Sequence, residues 1–150
     1  MALKELVNND LKTALLGGDS FRTQVLRGLK ATILNEEVAS NKRDTGLDDS
    51  IIEQLIAKEV KKRNESAEIY DSAGRLDLAE NERLESKILS AYLPLQLSEL
   101  EIKEVIDRVI NDLNVTASSA MGQVIGQVKK ELGNTADGSI IAKLAKDALN

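Results

Sequence analysis

A single proline in 150 residues, Pro94, constrains this chain more than any other position. Proline removes a backbone donor, fixes φ and pushes the residue before it out of the α region. On both sides of it apolar residues recur at helical spacing, and no alternating strand pattern competes with them. Pro94 is therefore the place where a helix is forced to stop. The chain reads as all-α, with about four helices before the proline and three after it. The expected division is an N-terminal helical domain, 1–94, and a small C-terminal three-helix unit, 95–150.

Local signals place the helices. Leu3, Leu6 with Val7, Leu11 and Leu15 fall near one face of a first helix that stops at Gly17-Gly18. Asp19 or Ser20 caps a second helix with Phe21, Val25, Leu29, Ile33 and Leu34 as its apolar face. A polar stretch over 39–48 leads to Asp48, a third cap, with Leu47 and Ile52 at the positions of a hydrophobic staple. That helix ends at Ser72-Ala73-Gly74, and Asp77 with Glu80 predicts the start of a fourth, carrying Leu84, Ile88 and Ala91 inward. After the proline, Ser98 and Glu101 form a capping box, with Leu97 and Ile102 as its staple. Ser118 or Ser119 starts a further helix that closes at Gly133, and Asp137 starts the last.

Composition excludes several kinds of chemistry. Without cysteine there is no disulfide, thiolate nucleophile or Cys-bound zinc. Without histidine the usual general base and commonest metal ligand are missing. Phe21, Tyr70 and Tyr92 are the only aromatics, too few for a base-stacking surface. Net charge is −5, spread almost evenly: 14 Lys and Arg against 17 Asp and Glu over 1–94, and 6 against 8 over 95–150. Contact with nucleic acid would need a local basic patch. No apolar run approaches a secretory core or the ~20 residues of a membrane span, so the expectation is a cytoplasmic chain with no membrane partner.

Four constellations could carry function. Lys58, Lys61, Lys62 and Arg63 are the densest basic run, but Glu59 and Glu65 stand at ion-pair spacing, so the run reads as a solvated face. The acidic pairs Glu36-Glu37 and Asp48-Asp49 also read as solvated surface, and we expect no metal and no cofactor. Gly122 and Gly126 stand four apart within a helix, where each costs ~1 kcal/mol relative to alanine. Such spacing fits close packing of another helix, the reading we favour, or close approach of an RNA backbone. Lys129 and Lys130 near one helix end, with Lys143 and Lys146 on the last helix, suit the helix dipole or an RNA backbone.

Several ordered segments resemble the YqeY-like proteins of the GatB/YqeY domain family. They are Leu26-Arg27-Gly28-Leu29-Lys30-Ala31, Lys58-Glu59-Val60-Lys61-Lys62-Arg63 with Ser66, and Gly74-Arg75-Leu76-Asp77-Leu78-Ala79 with Glu82 and Glu85. Tyr92-Leu93-Pro94, Gln96-Leu97-Ser98, Met121-Gly122 and Gly133 with Ala136-Asp137-Gly138 complete the series. The resemblance implies a larger N-terminal helical unit and a three-helix C-terminal unit. It also implies kinship with the tail of the B subunit of glutamine-dependent aspartyl/glutamyl-tRNA amidotransferase, which helps to hold the misacylated tRNA. Such proteins are associated with carbon–nitrogen ligase activity, glutamine being the amido-nitrogen donor. This chain shows no Gly-rich phosphate loop and no Ser-Lys amidase pattern, so we expect no catalytic residues.

The leading expectation is a non-catalytic adaptor that binds tRNA, or a tRNA-dependent amidotransferase assembly. The tRNA-binding candidates are Lys129, Lys130, Lys143, Lys146, Gly122 and Gly126. The alternative is a protein–protein interaction module without an RNA role. An amidating enzyme ranks third.

Overall fold

The computed structural model describes residues 2–150. Among them it contains seven α-helices and no strand: α1 (Ala2–Leu16), α2 (Ser20–Ala39), α3 (Asp49–Ser72), α4 (Leu76–Ser90), α5 (Glu99–Leu113), α6 (Met121–Leu132) and α7 (Gly138–Leu149). They fall into two compact units, Met1–Leu93 and Pro94–Asn150. Among the described residues no helix is long and apolar enough to cross a membrane.

In the first unit α1 packs on α2, while α3 and α4 form a long helical hairpin. Asp19 caps α2 by accepting a hydrogen bond from the Arg22 amide. Asp48 precedes α3 in extended backbone, and Leu47 and Ile52 are both buried around it. The core joins Val7, Val25, Leu26, Leu29, Ile33, Ile52, Ile56, Leu89 and Tyr92. Each fully buried Leu or Ile contributes about 1.5–3 kcal/mol. The hairpin turns at Gly74, whose φ of +74° a residue with a Cβ adopts only under strain. The Arg75 amide reaches back to the Tyr70 carbonyl at 2.8 Å and closes the end of α3.

Three sequence expectations are corrected here. The fourth helix starts at Leu76 with Arg75 at its cap, so Asp77 lies inside the first turn and favours the helix dipole. Its buried face is Ala79, Ser86 and Leu89, leaving Leu84 and Ala91 exposed. The cause is the seam with α3: Ser86 donates to the Asn64 side chain at 2.8 Å and Arg63 donates to Glu85 at 2.9 Å, which rotates Leu84 outward. Glu37 is not solvated. It is 1% exposed and accepts a 2.6 Å hydrogen bond from the Lys4 ammonium, because position 37 continues the inward row of Leu29 and Ile33.

The seam also explains the basic run. Arg63 is drawn inward to pair with Glu59 and Glu85. Burial alone would lower its pKa, and the hydrogen bonds to the two carboxylates more than offset this and raise it. Lys58, Lys61 and Lys62 remain on the exposed side. At the end of the unit, the buried Tyr92 hydroxyl donates to Asp10 of α1 at 2.5 Å.

The second unit closes a separate core from Ile102, Ile106 and Val109 of α5, Val124 and Val128 of α6, and Ile141, Ala145 and Leu149 of α7. The Ser98–Glu101 capping box is complete in both directions, at 3.1 and 3.2 Å. Asn114, in the left-handed region, ends α5. Ser118 and Ser119 do not cap α6. They form a single turn of 3₁₀-helix over Ser118–Ala120 that runs into it. Asp137 caps α7 by accepting from the Ser139 amide at 2.9 Å. The Leu97 amide donates to the Thr135 carbonyl at 2.8 Å, tying the entry of α5 to the α6–α7 connection.

Candidate nucleic-acid interface

The inward row of α6 is Val124 and Val128, with Met121, Ile125 and Leu132 beside it. At 100° per residue, Gly122, Gly126, Lys129 and Lys130 fall within about 100° of one another, away from that row. All four are exposed. The two glycines therefore form the middle of an exposed face, with the two lysines at its C-terminal end.

The favoured packing explanation for the glycines does not hold. A Cβ built at Gly122 or Gly126 would meet no neighbouring atom within 4 Å. Both have ordinary helical backbone, so neither glycine is required by a turn. The stripe costs helix stability without serving the core of this unit. Its open side leaves room for a ligand to approach the helix backbone.

Lys129 reaches the start of α7: a Cβ added at Gly138 would lie 3.1 Å from its Cε and 3.3 Å from its Nζ, so a larger residue there would push the end of this flexible side chain aside by a few tenths of an ångström. This puts the glycine-bearing flank of α6 on the α7 side. Read from the sequence, Asp137-Gly138 is only a helix start. The close approach of Lys129 depends on the loop 133–137 and leaves no local signal.

The opposite flank of α6 faces α5. There Arg108 donates to both Glu131 and Asp112, and Gln127 donates to Glu131 at 3.2 Å. The guanidinium of Arg108, helped by Gln127, holds the Glu131 carboxyl below the usual carboxylate range. Glu131, the one acidic residue of α6, is thereby engaged with α5.

Charge is uneven between the helices, although α7 also carries the exposed Asp147 beside Lys146 and one turn from Lys143. Glu99, Glu101, Glu104, Asp107 and Asp112 all lie on α5, against Lys103 and Arg108. Four of the unit's six cations lie on α6 and α7. Lys143 and Lys146 are exposed on α7, about 60° apart around its axis, opposite and beside the row of Ile141, Ala145 and Leu149. The structure thus brings Gly122, Gly126, Lys129 and Lys130 together on one face of α6, and Lys143 with Lys146 on one side of α7. Such an arrangement offers an exposed helix surface free of Cβ atoms beside cations, suited to a polyanion backbone. Among the described residues no group of three or more acidic side chains is gathered to hold a metal ion.

A two-unit, all-helical chain with a hairpin and a capped three-helix unit is the class defined by these features. The sequence model of Yqey-like proteins matches residues 4–149, and the chain belongs to that family. It is similar to altered inheritance of mitochondria protein 41, mitochondrial, of Kluyveromyces lactis, 32% identical over 126 residues that cover 81% of this chain and 66% of the relative. The protein of the same name from Eremothecium gossypii is 34% identical over 113 residues, 73% of this chain and 60% of the relative. That from Clavispora lusitaniae is 30% identical over 139 residues, 89% and 78%. The chain thus spans about two thirds or less of the length of the first two.

These names overturn the cytoplasmic expectation, since each relative is designated mitochondrial. The physical reason is that an absent apolar run tests only for secretion and membrane insertion. Mitochondrial targeting segments are amphipathic and Arg-rich, and escape that criterion.

Proposed function

We propose that this chain is a non-catalytic helical adaptor that binds tRNA through the exposed α6–α7 side of its C-terminal unit. The observation that carries the reading is the uncovered glycine stripe flanked by lysines, on the side of the unit away from acidic α5. The resemblance to the tail of the tRNA amidotransferase B subunit supports RNA over other polyanions. The glycines let a sugar–phosphate backbone lie close to α6, and the four lysines supply the attraction. Any amide-transfer chemistry associated with such tails is assigned to partner subunits.

The test is a filter-binding titration with bulk tRNA. Four lysine–phosphate contacts give log K falling against log salt with a slope of about −3. Substituting Lys129, Lys130, Lys143 and Lys146 by glutamine abolishes that slope while the protein stays folded. Absence of salt-sensitive binding at micromolar protein refutes the reading.

A further inference from the structure

From the α3–α4 hairpin we infer a second binding surface: its outer end docks a positively charged protein segment that presents an apolar pocket or stripe. The core of the first unit reaches Val60 on α3 and Ile88 on α4. Past those residues the two helices are joined by buried Ala67 and Ala79 and by polar bonds: Arg63 to Glu85, Asn64 to Ser86, and Arg83 to Asp71. A seam of this kind holds the hairpin together while leaving the outer face of α4 uncovered.

That face carries leucines. Leu76 and Leu84 are 67% and 45% exposed, at i and i+8 with Glu80 between them, all within about 80° of the helix circumference. Isolated exposed leucines are ordinary; here two stand on one row beyond the core with Glu80 between them, so apolar and acidic groups alternate along the face. The end of the hairpin that carries it is acidic. Residues 64–84 contain six acidic and two basic side chains, a net −4 out of −5 for the whole chain. Asp71 and Asp77 face Arg83 and Arg75, and that count includes both arginines.

Charge complementarity selects the occupant. A net −4 repels nucleic acid and anionic lipid, and a second copy docking through the same surface would set −4 against −4. A basic protein segment gains on both counts: its cations meet Asp77, Glu80 and their neighbours, and its apolar groups cover Leu76 and Leu84. This surface belongs to the first unit and stands independently of the RNA reading.

The test places a benzophenone amino acid at exposed Asn81 of the full chain and irradiates native cells, with nuclease treatment before analysis. The expected product is a cross-link to a protein segment of net positive charge. A synthetic peptide of that segment binds the full chain, more weakly as salt rises. Leu76→Ser with Leu84→Ser lowers its affinity about tenfold or more. The pair leaves the melting temperature nearly unchanged, because neither residue serves the core. Glu80→Lys gives the same loss without touching an apolar group. The inference is overturned by a cross-link to nucleic acid, to a neutral or acidic segment, or to this chain alone. It is equally overturned by no macromolecular cross-link, or by peptide affinity indifferent to these substitutions.

Discussion

Replacing Gly122 and Gly126 together by alanine separates what the fold needs from what a ligand needs. Neither new methyl meets an atom within 4 Å, and both backbones are helical, so nothing in the unit opposes the change. Gly126 lies in the interior of α6, where alanine is worth about 1 kcal/mol over glycine. Gly122 is the second residue of the helix, where roughly half of that is expected. The sum, about 1.5 kcal/mol, acts on a three-helix unit of small size, in which each kcal/mol moves the melting temperature by roughly 4–8 °C. Thermal melts followed by circular dichroism should therefore rise by about 6–12 °C for that unit. Binding should move the other way: two methyls on the stripe hold a sugar–phosphate backbone off the helix, and tRNA affinity falls about tenfold. A drop in stability would show that something packs on the stripe. Unchanged affinity with raised stability would show that the stripe lies outside the interface, and the reasoning from uncovered glycines to RNA would fail.

Other positions give sharper tests of the fold. Lys4→Ala leaves the buried Glu37 carboxylate without its partner and should cost about 1–3 kcal/mol in urea unfolding, whereas Lys4→Met with Glu37→Leu should cost much less. Tyr92→Phe removes the 2.5 Å hydrogen bond to Asp10 and should cost about 1–2 kcal/mol by the same measurement. Burial, then the bond to Asp10, raises the Tyr92 phenol above its ordinary pKa near 10. The folded state thus retains that proton after the unfolded state has lost it. Stability from this group is full below pH 10 and declines above it, which alkaline melts of wild type against Tyr92→Phe will show. Ser98→Ala breaks the capping box and should lower stability of the second unit by about 1 kcal/mol, visible as faster amide exchange in the first turn of α5.

Much of the fold was legible because helix ends are written locally. Asp19, Asp137 and the Ser98–Glu101 pair bond their own first turns, and Gly74 supplies a left-handed stop, so nearby residues were enough to find them. Faces were less legible. Leu6 and Leu15 stand on opposite sides of α1 and both are exposed, while Val7 and Ala14, midway between them, turn inward, because the neighbouring α2 decides which side is buried. Leu84 loses its inward place to Ser86 for the same kind of reason, a partner for Asn64 that lies 22 residues away. Glu37 shows the limit most clearly: an acidic doublet suggests solvent, and only the arrival of Lys4 from α1 makes burial affordable. At the candidate interface, the lysines and glycines could be named from composition and spacing. That the glycines face open space, and that acidic residues gather on α5, depends on how three helices close, which no local pattern encodes.

The central claim is tested most directly by the salt dependence of tRNA binding, measured on the wild-type chain and on the variant with Lys129, Lys130, Lys143 and Lys146 changed to glutamine. The expected log–log slope is about −3 for the wild type and near zero for the variant, with both proteins equally folded. Equal slopes for the two proteins, or no binding by either, would contradict it.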